Sequence, residues 1–176
     1  MKKIIILTLF LLSCSSQAYL TEMVKLPHYT NAWQIQKKDS WPLVNNVSVA
    51  TKIFYQRWKK DFGDPNNRVN DALNKLMIEW VEPNEKKLLG YSIDGRMSKG
   101  RAKGLALSPT YIKVHKTVYN RLASTSLIHE LTHIALWNSG NILGDPDHEG
   151  KEFTGWTAKH TKMVNDLNRI LANINI

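Results

Sequence analysis

A chain of 176 residues with 43% hydrophobic content is long enough for one domain with a substantial core and too short for two. Its formal net charge is +9, and because Lys2 and Lys3 are the only charges before residue 22, the part after a leader keeps 22 basic against 15 acidic residues, a surface that favours anionic partners or serves solubility. The single cysteine, Cys14, lies in the first stretch, which excludes a disulfide within the folded part and a cysteine-rich zinc ribbon.

Met1-Lys2-Lys3 followed by the apolar run Ile4 to Leu12 has the basic and hydrophobic regions of a secretory signal, and residues 1–18 are expected to be removed on export. The run is too short to span a bilayer as a helix. Two cleavage readings stand at its end. Leu11-Leu12-Ser13-Cys14 resembles a bacterial lipobox, in which Cys14 would carry the lipid, and Ser16-Gln17-Ala18 offers the small residues of ordinary signal cleavage.

Residues 19–46 show no sustained period and contain Pro27 and Pro42, as expected for an arm or tether preceding a domain at 47–176. Ala50, Ile53, Phe54 and Trp58 then fall at helical spacing, predicting a helix from Ser48 to Phe62 that Gly63-Asp64-Pro65 ends. A shorter helix follows from Asn67 to Leu76, inward at Val69, Ala72, Leu73 and Leu76. The period then changes to two: Met77 to Val81 and Leu88 to Ile93 read as strands. Ser98 to Gly104 is a basic, glycine-bearing loop, either simply mobile or anion-binding. Leu105 to Leu107 and Tyr111 to His115 read as a bent or broken strand around Pro109, with Ile112 and Val114 on one face.

The most informative stretch comes next. Ser126 to Trp137 contains His129-Glu130-Leu131-Thr132-His133, an H-E-x-x-H pattern on a helix capped by Asn120 or Ser124 and ending at Asn138-Ser139-Gly140. Residues four apart stand on one helix face, so His129 and His133 are positioned to offer two imidazole nitrogens to one Zn²⁺. Glu130, one step round, is the candidate general base for zinc-bound water. Leu127, Ile128, Leu131, Ile134, Ala135 and Leu136 predict burial on several sides, which makes polar groups in the middle of the helix costly without a ligand. A third ligand has to return from beyond the helix, and Ser139-Gly140 with Gly144-Asp145-Pro146 supplies turns for that return. His148, Glu149 and Glu152 compete for the role, with His148 the preferred assignment; Glu152, Asp145 and Asp147 are alternatives for bonding a ligand N–H. A closing helix is predicted over 152–172, with Phe153, Trp156, Met163, Val164, Leu167 and Leu171 on its inner stripe.

This order of elements, with His129-Glu130-Leu131-Thr132-His133 followed by His148, Gly150 and Phe153, resembles the SprT-like zinc metallopeptidases, a branch of the zincins, over roughly residues 46 to 172. In that family glycine usually follows the later histidine directly, whereas here Glu149 intervenes. Members often carry a C-terminal zinc ribbon or act on DNA-bound proteins inside cells; the absent cysteines and the leader set this chain apart. The resemblance implies a single α+β, zincin-like domain with a small, mostly antiparallel sheet packed on the metal helix. It also implies a strand at the cleft rim that takes the substrate as an added strand. Tyr111 to His115 is the candidate rim strand, with an interior position equally open.

The expected function is an exported zinc-dependent metalloendopeptidase, with catalytic Glu130, the metal ligands His129, His133 and His148, and a protein or peptide substrate. The expected location is the bacterial envelope, lipid-anchored at the outer membrane or soluble in the periplasm or outside the cell. An anionic envelope surface is a further partner, and nucleic acid is not expected. Tyr91, Tyr111, His115 and His160 are candidates for stabilising the oxyanion. Two other functions remain open: an amidase acting on wall peptides with the same ligands, and an inactive, basic binding module on the same scaffold.

Overall fold

The computed structural model describes residues 21–82, 103–140 and 155–176. Five strands and four helices follow in the order β1 (Thr21–Lys25), β2 (Trp33–Lys37), α1 (Val44–Asp61), α2 (Arg68–Leu73), β3 (Met77–Val81), β4 (Gly104–Ser108), β5 (Tyr111–His115), a 3-10 turn (Leu122–Ser124), α3 (Leu127–Asn138) and α4 (Ala158–Asn173). The strands form one sheet in the order β1-β2-β3-β5-β4. Both outer pairs, β1 with β2 and β4 with β5, are antiparallel, while the inner pairs β2–β3 and β3–β5 are parallel. The α+β class is thus observed, with antiparallel pairing at the sheet's two edges.

Alternation builds the sheet's buried face. Ile78 and Trp80 of β3 and Ile112 and Val114 of β5 point the same way and are all buried, as a period of two requires. On β2 the corresponding positions are Gln34 and Gln36. The buried amide of Gln34 accepts from Trp80 Nε1 at 3.2 Å and donates to the Pro42 carbonyl at 3.2 Å, which offsets its desolvation. The stretch expected to be a loose arm therefore contributes two strands, and its Leu26, Tyr29 and Ala32 belong to the core. Short strands with mixed polarity hide from a periodicity reading because the partner strand, not the pattern, completes them.

α1 buries Ala50, Phe54 and Trp58 as the spacing predicts, but it begins at Val44, two residues after Pro42, so Ser48 lies inside it and fully buried. Gly63 leaves the helix at a φ of +79°, a conformation that favours glycine. β3 matches its expected bounds, while α2 is shorter than expected. Of the two readings for 105–115 the strand is broken and not bent at Pro109, and its halves form a tight antiparallel hairpin. Thr110 N–H donates to Ser108 Oγ at 3.3 Å and Asn138 Nδ2 donates to the Pro109 carbonyl at 2.8 Å, which pins the reversal to the end of α3. β5 consequently lies inside the sheet and, among the described residues, β4 lies at its edge, so the rim position falls to β4 and not to Tyr111–His115. The strand expected at Leu88 to Ile93 lies outside the described residues.

α3 is the hub: it packs against β4, β5 and each of the other three helices. Leu127, Ile128, Leu131, Ile134 and Ala135 have no exposed surface. It starts later than the caps at Asn120 or Ser124 imply, because the 3-10 turn intervenes and Thr125 Oγ1 accepts the Leu127 N–H at 3.2 Å. It ends at Asn138, followed by Gly140 at a φ of +101°. α4 begins at Ala158, since residues 155–157 are not helical; Thr157 and His160 form a capping box there. Among the described residues no helix is long and apolar enough to cross a membrane.

Candidate metal centre

The polar side chains of α3 sit in an apolar helix held from all sides, so each is placed by its neighbours and not by solvent. Thr132 returns its hydroxyl to the Ile128 carbonyl at 2.8 Å and satisfies itself locally. His129 is half-buried and His133 is buried, with their Nε2 atoms 3.1 Å apart and their rings inclined at 71°. Two Zn–N bonds of about 2.0–2.1 Å at a tetrahedral angle set ligand nitrogens about 3.3 Å apart. The observed separation fits that span, and imidazole is the right donor type for zinc. The pair thus fits a shared metal.

Trp156 closes over this pair. Its ring centroid lies 4.8 Å from that of His129 and 4.9 Å from that of His133, and its Nε1 donates to Thr161 Oγ1 at 2.8 Å. Spacing assigns Trp156 to the stripe of the closing helix; it precedes that helix and restricts both imidazoles. Periodicity carries no signal for such a role. Behind it His160 stacks on Phe62, with centroids 4.1 Å apart and planes inclined by 2°, and its Nδ1 accepts the Thr157 N–H at 3.0 Å.

Glu130 is buried, with 3% of its surface exposed, and desolvation raises its pKa from 4.5 to about 8. Room for its carboxylate comes from Gly104, the first residue of β4. A Cβ at that position would collide with Glu130 Oε1 and with Ser126 Oγ, and would lie 2.7 Å from Glu130 Cδ. The Ser126 hydroxyl and the Glu130 carboxylate thus both crowd the space a side chain at Gly104 would take, and glycine lets β4 pass directly over the candidate base. Ser126 Oγ in turn donates to the Lys103 carbonyl at 2.8 Å, fastening the start of β4 to the start of α3. The glycine that ends the expected loop, directly before the strand expected from Leu105, was the available sequence signal for this close approach.

The structure brings His129 and His133 together, while the carboxylate of Glu130, next in sequence to His129, lies against Gly104. His148, with Glu149 and Glu152, lies outside the described residues, as do Asp145, Asp147, Tyr91 and Cys14. Among the described residues, no cluster of three or more His, Cys, Asp or Glu side chains gathers around one point. Of the remaining oxyanion candidates, Tyr111 donates to Glu79 across β3 and β5, His160 serves the cap of α4, and His115 lines a cleft with Ser126. Comparison with protein-family models, with curated proteins and with solved structures gives no match.

Proposed function

We propose that this chain is an exported zinc-dependent metalloendopeptidase of the zincin type. One observation carries the reading: on a single buried helix two imidazole nitrogens converge to 3.1 Å while a buried carboxylate sits one residue away beneath an edge strand. A purely structural metal site has no use for Glu130. His129 and His133 would hold Zn²⁺, with His148 as the third ligand, and the metal would supply a Lewis acid and acidify bound water. Glu130 takes the proton of the attacking water and returns it to the leaving amine. Its burial favours this task, since a raised pKa lets the carboxylate hold a proton near neutral pH. β4, which has no further strand beside it among the described residues, supports main-chain pairing with an extended peptide, and Trp156 packs on both imidazoles while Gly104 leaves room for the carboxylate.

The leader and Cys14 support an envelope location, lipid-anchored or soluble. Cys14→Ala should release a membrane-bound form or block its processing; a parent protein found soluble with Tyr19 as its first residue would exclude the anchor. The activity is tested by incubating the mature protein with unfolded casein, purified peptidoglycan or an anionic oligonucleotide, with and without chelator. Chelator-sensitive cutting of casein is expected. Cutting of peptidoglycan alone would make the protein an amidase, and oligonucleotide binding with no hydrolysis would make it an inactive module.

A further inference from the structure

A cleft of about 230 Å³ opens at the N-terminal end of α3, lined in part by Ser126, one helical turn before Glu130. Lys103, His115, Lys116, Thr117, Ser124, Thr125 and Ser126 line it, and among the described lining residues there is no carboxylate. Lys116 is almost wholly buried, its ammonium held at 2.6 Å by Glu82 on one side and at 2.6 Å by Ser40 Oγ on another. Glu82 balances that lysine, so the charge the cleft offers comes from Lys103, whose side chain is exposed at the mouth. Thr117 brings a buried Oγ1 that has no hydrogen-bond partner among the described residues. The positive end of the twelve-residue helix α3 adds to the same field.

The cleft's floor is tied to the candidate base. The Lys103 carbonyl accepts from both the His115 N–H, at 2.9 Å, and Ser126 Oγ, at 2.8 Å, and the next residue is Gly104, over which the Glu130 carboxylate packs. A peptide laid along β4 with its bond above Glu130 would project a neighbouring side chain towards Lys103. We propose that this cleft is a carboxylate-binding subsite that selects peptides bearing an acidic group next to the bond cleaved, a proposal that rests on the peptidase reading for its place in catalysis. Charge-assisted bonds from Lys103 and from the Thr117 hydroxyl, whose proton no described residue takes, recognise the carboxylate, whether an Asp or Glu side chain or the free C-terminus of a short peptide.

Two measurements test it. Amide NMR spectra of the intact mature protein are recorded with acetyl-glutamyl amide and with acetyl-glutaminyl amide. The acidic probe should shift the amides of Lys103 and of residues 124 to 126, the neutral probe should not, and Lys103→Glu or Lys103→Gln should abolish the response; equal shifts with both probes, or none, overturn the subsite. Separately, cut sites in casein are mapped and peptides made around the strongest one. The Glu form should exceed the Gln form in kcat/KM by about tenfold, the equivalent of roughly 1.4 kcal/mol, and Lys103→Gln should bring that ratio towards one. Comparing C-terminal acids with amides assigns the carboxylate to side chain or terminus. Probe binding without any cleavage would overturn the peptidase reading and leave the subsite standing, whereas cleavage without acidic preference and without probe binding would do the reverse.

Discussion

At the residue scale the candidate site turns on how Glu130 is buried. In metal-free protein a carboxyl raised from 4.5 to about 8 keeps its proton in the folded state at pH values where the unfolded chain has already lost it. Its cost to stability is therefore absent below about pH 4.5, grows as the pH rises, and is complete above about pH 8, at roughly 5 kcal/mol. In chelator, Glu130→Gln should melt well above the parent at alkaline pH and converge with it towards about pH 5; parallel melting curves across that range would show that the carboxylate is not desolvated. With metal restored, the same variant should bind zinc normally and turn over roughly 10²–10⁴-fold more slowly, measured by metal analysis and casein hydrolysis. Gly104 is the companion case. Its backbone needs no special conformation, so Gly104→Ala costs through collision alone, about 1–3 kcal/mol by denaturant titration. Adding Glu130→Ala should restore part of that loss, and strict additivity of the two would show that they do not touch.

At the element scale, α2 shows how a loop residue does what the helix's own cap does not. Asn67, the residue before α2, makes no side-chain cap, and Asp64 reaches forward to accept the N–H groups of Val69 at 3.2 Å and Asn70 at 3.1 Å while Tyr55 donates to it at 3.2 Å. Asp64→Ala should cost about 1–2 kcal/mol in urea unfolding, whereas Asp64→Asn should recover about half. An unchanged midpoint for the alanine variant would assign α2's stability to packing alone. Such a six-residue helix is marginal by itself, which is why its boundaries could not be read from periodicity: the cap and the packing against α3 decide where it stops.

At the scale of the whole molecule, β1 and β2 make residues 21–37 an integral edge of the sheet. Removing residues up to 46 would strip Leu26, Tyr29 and Ala32 from the core, leave the Trp80 indole without Gln34 and expose β3 along its length. The truncated protein should show no cooperative thermal transition, or aggregate through the new edge. A truncated form that melts like the parent would mean that the segment is a tether after all.

The sequence by itself determined α3 and the shared face of its histidines, because on a helix this is a local geometric fact: about four residues make one turn, and His129 and His133 share a face whatever surrounds them. It likewise determined β3 and the buried stripes of α1 and β5, where apolar spacing alone is informative. What only the tertiary structure decided was everything that depends on contacts between distant segments. Pro109 looked like a bend or a break in a strand, and the hairpin formed there puts β4, among the described residues, at the sheet edge. Gly104 carried no periodic signal and Trp156 only one that assigned it to the closing helix, yet one opens space for the Glu130 carboxylate and the other packs on both imidazoles. Polar strands β1 and β2 became part of the sheet through hydrogen bonds to neighbours that no local pattern announces. Short-range periodicity encodes which side of an element is buried; which element lies against that side is set by long-range packing, and the surroundings of Glu130 belong to that second class.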